Sequence, residues 1–178
     1  MRACRLVLLF AFAVLVMSSA RPLAAAAAQE RRPSDAARPK VIVLTQSKGF
    51  VHDVVKRKDG KLSRVEQTFQ DLAARSGHFE VELSRNAAEL TGEKLRSARV
   101  VVFYTTGDLP FPEGGLEAFE QWVRQGGGVL GIHAATDTFK ETPLFFNLIG
   151  GAFDGHPWDA NTTVTIELLD DANPALKA

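Results

Sequence analysis

Lys40–Thr45 reads KVIVLT: β-branched, apolar, and uncharged after its first residue. A strand of that composition is buried on both faces, the condition of strands inside a parallel sheet; a half-exposed strand would alternate apolar and polar residues. On its carboxyl side, Gln46–Asp53 forms a polar turn. Asp59-Gly60 marks a second turn, and Ser63 with Glu66 fits an S-x-x-E capping box, in which hydroxyl and carboxylate satisfy the free amides of a helix start. Leu62, Val65, Phe69, Leu72 and Ala73 then recur at helical spacing as far as Gly77. Phe79–Leu83 (FEVEL) alternates as a strand does, and Val100–Tyr104 (VVVFY) repeats the fully apolar signature before Thr105-Thr106-Gly107-Asp108. After Pro110 and Pro112, the residues Leu116, Phe119, Trp122 and Val123 predict an amphipathic helix that Gly126-Gly127-Gly128 ends. Val129–Ile132 is a third apolar run, Leu144–Ile149 a short helical stretch, and Thr162–Leu168 (TTVTIEL) a further expected strand. Strands alternating with helices require crossover connections, so the fold class is α/β with a parallel sheet.

Upstream of Lys40 the sequence reads as an address. Met1–Arg5 carries two arginines, Leu6–Met17 is an unbroken apolar run, and Ser18–Ala28 is rich in small residues with A-x-A-like cleavage points. This predicts a secretory signal peptide over residues 1–28, cleaved between Ala20 and Ala28, then a linker over 29–39 rich in charge, Pro and Ala. The apolar run is shorter than the ~20 residues a spanning helix needs, so an exported chain without stable membrane insertion is expected, periplasmic or extracellular. One domain is expected over 40–178. The 21 Lys+Arg balance 21 Asp+Glu over the whole chain, but Arg2, Arg5 and Arg21 precede Gln29, so cleavage leaves 18 against 21, a net of −3. That balance argues against nucleic acid as a partner. Cys4 is the only cysteine, so the folded part has no thiol nucleophile, thiolate metal site or internal disulfide.

In open parallel sheets, ligands bind outside the carboxyl ends of the strands. Polar residues collect there: Gly49–Asp53 after the first strand, Thr105–Asp108 after VVVFY, and His133–Asp137 after the Val129–Ile132 run. Asp154-Gly155-His156-Pro157 follows the short helical stretch, and only His78 of the four histidines lies away from these loops, in a helix-to-strand turn. Gly131-Ile132-His133-Ala134-Ala135 has the shape of a nucleophile elbow, where small neighbours let the chain turn sharply and lift one side chain above the sheet. Hydrolases and amidotransferases carry Ser or Cys there. His133 is an acid, a base or a ligand instead. A purely packed histidine, hydrogen-bonded to Asp137 four residues on, is the plainer alternative.

Four segments in order, Lys40–Asp53 (KVIVLTQSKGFVHD), Val100–Asp108 (VVVFYTTGD), Gly126–Asp137 (GGGVLGIHAATD) and Gly150–Pro157 (GGAFDGHP), make residues 40–178 resemble the ThuA-like, or trehalose-utilisation-like, domain. This family is related to the class I glutamine amidotransferase fold. The resemblance implies a flavodoxin-like parallel sheet flanked by helices, with the amidotransferase cysteine replaced here by His133, so that the chain is not a functional glutamine amidotransferase. It also implies a small carbohydrate ligand, a trehalose-type disaccharide or a keto-sugar derivative. Two features depart from the pattern. Lys56-Arg57-Lys58 lies in a longer connection than is common, altering the rim of the site or, as the plainer reading has it, forming solvated turn charges. The chain also stops soon after the expected Thr162–Leu168 strand, where such domains continue through another strand and helix, so a truncated domain is expected.

Three classes of function are compatible with these residues. The first is a carbohydrate-processing enzyme, with His133 and His52 as acid/base candidates and Asp137 orienting an imidazole. Asp53, Thr105, Thr106, Gly107, Asp108, Asp154 and His156 are its candidates for binding sugar oxygens. A metal-assisted version would hold a divalent ion such as Zn²⁺ on His52, His133 and His156, although no local H-x-x-x-H spacing specifies one. The second is a carbohydrate-binding module without catalysis, with Phe50, Phe139 and Trp158 as candidate aromatic platforms and core packing the plainer reading of each Phe. The third is an interaction domain of a larger exported enzyme. A homo-oligomer is open in all three.

Overall fold

The computed structural model describes residues 37–159, 161–168 and 173. The expected signal peptide and most of the expected linker lie outside the described residues; Ala37, Arg38 and Pro39 are exposed and outside any helix or strand. Among the described residues no helix is long and apolar enough to cross a membrane.

Four strands, β1 (Lys40–Leu44), β2 (Glu80–Ser84), β3 (Val100–Phe103) and β4 (Gly128–Gly131), form one sheet in the order β2-β1-β3-β4. Every pairing is parallel. The crossovers carry α1 (Arg64–Ser76), α2 (Gly92–Ser97) and α3 (Gly115–Arg124), and α4 (Pro143–Ile149) follows β4. This is the flavodoxin-like α/β fold. Burial explains the runs that lack polar alternation: Val41, Ile42, Val43 and Leu44 are all buried, as are Val101, Val102 and Phe103. Successive side chains point to opposite faces. Ile42, Leu44, Val101 and Phe103 therefore join one core with Leu95, Phe119, Trp122 and Phe145, while Val41, Val43 and Val102 join a second with Val55, Val65 and Phe69.

Between β1 and α1 the chain makes a closed electrostatic knot. The capping box is complete, since the Ser63 hydroxyl accepts from the Glu66 amide and the Glu66 carboxylate accepts from the Ser63 amide at 2.9 Å. Glu66 is nonetheless fully buried. Its carboxylate also receives two bonds from the Arg57 guanidinium, at 2.8 and 2.9 Å, and one from the Thr45 hydroxyl at 3.2 Å. Arg57 is thus a buried anion's partner, which corrects the reading of Lys56-Arg57-Lys58 as solvated turn charges.

A second correction concerns Thr162–Leu168, which is not a strand. Its apolar residues Val164, Ile166 and Leu168 are 51–82% exposed. An alternating pattern yields a strand only where a neighbouring strand supplies hydrogen bonds and a core covers one face, and among the described residues this segment has neither.

Burial alone would raise the Glu66 pKa; the bonds from Arg57 and Ser63 outweigh it and bring the group down to about 2 from 4.5. A carboxylate so depressed contributes stability that is fully present above pH 4.5 and is lost as pH falls toward 2. Glu66→Gln is expected to cost about 3 kcal/mol at pH 7 and to flatten the acid limb, which urea denaturation from pH 7 to pH 3 would measure. An unchanged acid limb in the variant would show that other carboxylates govern acid unfolding.

Candidate active site

The chains leaving β1, β3 and β4 meet at the carboxyl edge of the sheet. Lys48 N–H donates to Thr106 O at 2.9 Å and Gly107 N–H donates to Asp137 O at 2.9 Å. The hydroxyls of Thr105 and Thr138 bond at 2.7 Å in the interior, and the Thr106 hydroxyl donates to Phe50 O at 2.7 Å. Gly107 sits at φ +78, and a Cβ there would collide with the Lys48 carbonyl oxygen. Only glycine permits this crossing.

His133 opens the turn His133–Asp137 directly after the extended Ile132 and takes φ +48, a left-handed conformation that side chains rarely adopt. The elbow suggested by Gly131-Ile132-His133-Ala134-Ala135 is therefore formed. Its small residues have a visible cause: a Cβ on Gly131 would lie 2.7 Å from Ile149 Cδ1 and 3.2 Å from Ala135 Cβ.

The elbow brings His133 against His52. The ring centroids lie 4.6 Å apart, edge to face at 70°. Phe50 packs on the other side of His52 at 4.8 Å, and Tyr104 lies 5.8 Å from His133 and 6.0 Å from His52. Burial, and then the charge of a protonated His133, push the His52 pKa below its ordinary value, against a smaller opposite pull from Asp137 and Asp53. His52 is thus predominantly neutral at pH 7. Burial raises the Tyr104 pKa, so its hydroxyl keeps its proton.

A cleft of about 760 Å³ opens over the pair, lined also by Thr106, Asp137, Phe153, His156 and Trp158. Its size falls within the range of roughly 300–1,000 Å³ typical of small-molecule sites. The Phe153 amide donates to Thr136 O at 2.8 Å, tying the segment that carries His156 and Trp158 to the elbow. Phe50 and Trp158 are 68% and 64% exposed, with aromatic surface open to a ligand, whereas Phe139 is buried and stacks on Phe111 at 4.8 Å.

Of the residues named from the sequence, His52, Thr106, His133, Asp137 and His156 share the cleft. Thr105 and Gly107 are struts, with their hydroxyl and amide already bonded within the protein. Asp53 pairs with Lys56 at 2.8 Å, which holds its carboxyl below the ordinary value, and it lines a neighbouring cavity. Asp108 and Asp154 are exposed outside the cleft lining. Asp137 pairs with Lys140 at 3.0 Å. Among the described residues no three His, Cys, Asp or Glu side chains form a group able to hold a metal ion, so His52, His133 and His156 are not assembled as a ligand set. Tyr104 and Phe153 escaped the sequence reading: Tyr104 looked like the end of an apolar strand, and nothing around Phe153 signals a wall.

These features define a flavodoxin-like α/β domain with an elbow that presents histidine. Comparison with protein families finds a match over residues 40–178 to ThuA, described as trehalose utilisation. The chain belongs to the ThuA family. Among solved structures it is similar to a ThuA-like protein from Bacteroides uniformis, at 25% identity and a TM-score of 0.47, covering 68% of this chain and 47% of that one. The chain thus spans about half the length of that relative. The comparison with curated proteins found no match.

Two outcomes follow from the site geometry. Gly107→Ala is expected to destabilise by about 2 kcal/mol or more, through a left-handed alanine and its clash with the Lys48 carbonyl, measured by thermal or urea unfolding. In an NMR titration, His52 is expected to lose its proton below pH 6.5, and in His133→Ala to lose it at a higher pH than in the wild type, because the opposing charge of His133 is gone. The folded chain holds this proton more weakly than the unfolded chain, so the associated stability is present above pH 6.5 and is lost as the pH falls.

Proposed function

We propose that the chain is an exported ThuA-like domain that acts on a small carbohydrate, a trehalose-type disaccharide or a keto-sugar derivative, by proton transfer through His52 and His133. The observation that carries this reading is the pair of imidazoles 4.6 Å apart at the cleft, one of them held neutral at pH 7. Sugar chemistry at hydroxyl or carbonyl carbons requires a base to take one proton and an acid to return one. His52, neutral, is suited to take a proton. A charge on His133 disfavours a second charge on His52. The charge of Asp137 favours the protonated form of His52 once it forms. Phe50 and Trp158 offer the flat faces on which sugar rings stack. Export is supported by the arginines, apolar run and small-residue segment of residues 1–28.

The same exposed aromatics also favour a second reading, a carbohydrate-binding domain without catalysis. The deciding experiment incubates the mature protein with neutral disaccharides and their keto derivatives, following binding by calorimetry and products by chromatography. His133→Ala is expected to reduce turnover about 10²–10⁴-fold with little change in Tm. Binding that survives in wild type and variant alike, with no product from either, would establish the binding domain. A large loss of stability in His133→Ala with unchanged binding would make His133 a core residue and overturn the assignment.

A further inference from the structure

Beside the cleft, and entered by the next residue after His52, lies a second cavity of about 410 Å³ whose lining includes Lys56, Lys58, Lys61 and Arg64. It is built from the connection between β1 and α1. Lys58 and Lys61 face one another across an antiparallel bridge closed by the Asp59-Gly60 turn, with Lys61 N–H donating to Lys58 O at 2.9 Å. Residues directly opposite in such a bridge project on the same side, so both lysine side chains leave the hairpin from one side. Like charges in that position are destabilising. Of the two carboxylates in the lining, Asp53 is paired with Lys56 and also feels the charge of Lys58, so Asp53 and Asp59 together face four cations, Lys56, Lys58, Lys61 and Arg64. Lys58, Lys61 and Arg64 have no ion pair among the described residues. The hairpin is also firmly based: Val55 before it is buried, and Arg57 is clamped to the buried Glu66. Two opposed lysines on an anchored hairpin, with a third cation at the start of α1, are a preorganised surplus of positive charge that an oxyanion would neutralise.

The geometry points to an oxyanion-binding site at Lys58, Lys61 and Arg64, taking a carboxylate, sulfate or phosphate group. The anion is carried on the sugar that occupies the adjacent cleft, since Asp53 lines this cavity and His52 lines the other. That last step rests on the carbohydrate reading; the anion site itself does not. An acidic sugar would then be the preferred ligand class, with the hairpin determining specificity from outside the proton-transfer pair.

The test titrates the full mature chain at low ionic strength with inorganic sulfate, inorganic phosphate, a galacturonate oligomer and a neutral oligomer of equal length, following amide and side-chain NMR shifts. The comparison variant is Lys58→Gln/Lys61→Gln, with Arg64→Gln separately; all three positions are exposed. Saturable shifts at the hairpin, weakened by salt and reduced about tenfold or more in the double variant, are expected. The ligand-free double variant is expected to melt no lower than wild type, because a like-charge pair has been removed. Tighter binding of the acidic than of the neutral oligomer, lost in the double variant and weakened by His133→Ala, establishes the sugar-borne anion. Equal affinity for inorganic anions and the acidic oligomer, indifferent to His133→Ala, retains the site, overturns its link to the cleft and makes the ligand a free oxyanion. Failure of every anion to shift the hairpin, or shifts unchanged in the double variant, overturns the site, whatever the cleft binds.

Discussion

Parallel strands all end at the same edge, and here three of the chains that leave that edge are laced together by their own main chains. The bonds from Lys48 to Thr106 and from Gly107 to Asp137 join the exits of β1, β3 and β4 in series. Short bridges between Ser47 and Thr106 and between Gly107 and Thr138 continue the sheet beyond its named strands. His52 and His133 come from segments far apart in sequence, and their approach to 4.6 Å depends on this lacing. A glycine at position 107 is the narrowest requirement in it, because the Lys48 main chain leaves no room for a side chain.

The elbow carries strain at both ends. His133 and Phe139 each take φ +48, and neither is glycine. Such conformations persist only where the surroundings overdetermine them. Phe139 is held by aromatic packing against Phe111 and Phe145, at 4.8 and 5.2 Å, and by the bond between its amide and Gly107 O. His133 has no comparable clamp: its ring sits in the open cleft between His52 and Tyr104. Strain on a partly exposed imidazole, anchored from the Phe139 side, is the distribution expected where a side chain is being aimed rather than packed.

Local signals were legible in the sequence and non-local ones were not. KVIVLT and VVVFY announced central strands because an uninterrupted apolar run has no other soluble use at that length, and Ser63 with Glu66 announced a helix start through a contact spanning one turn. The elbow was legible for the same reason, since Gly131 and Ala135 approach one another within five residues. Arg57 was misread because its partner is chosen by the tertiary burial of Glu66, which an ordinary capping box does not imply. Thr162–Leu168 failed in the opposite way, with a good local pattern and no partner strand among the described residues. Thr105 and Gly107 looked like free polar groups because sequence cannot say that Thr138 and Asp137 already occupy them.

An elbow normally exists to make a nucleophile reach a carbonyl, and covalent catalysis then needs a group that forms a bond and survives until water releases it. An imidazole at the tip changes the economy of the site. His52 packs edge to face on His133, so the two side chains that meet at the tip are chemically alike. Nothing distinguishes them except environment: burial and a neighbouring ring keep His52 neutral, while His133 is lifted on the turn toward the cleft. On the proposed reading, such an asymmetric pair separates acid from base without any difference in residue type. The bond-forming partner must then come from the ligand or from water, and the protein's part is to move a proton through His52 and His133.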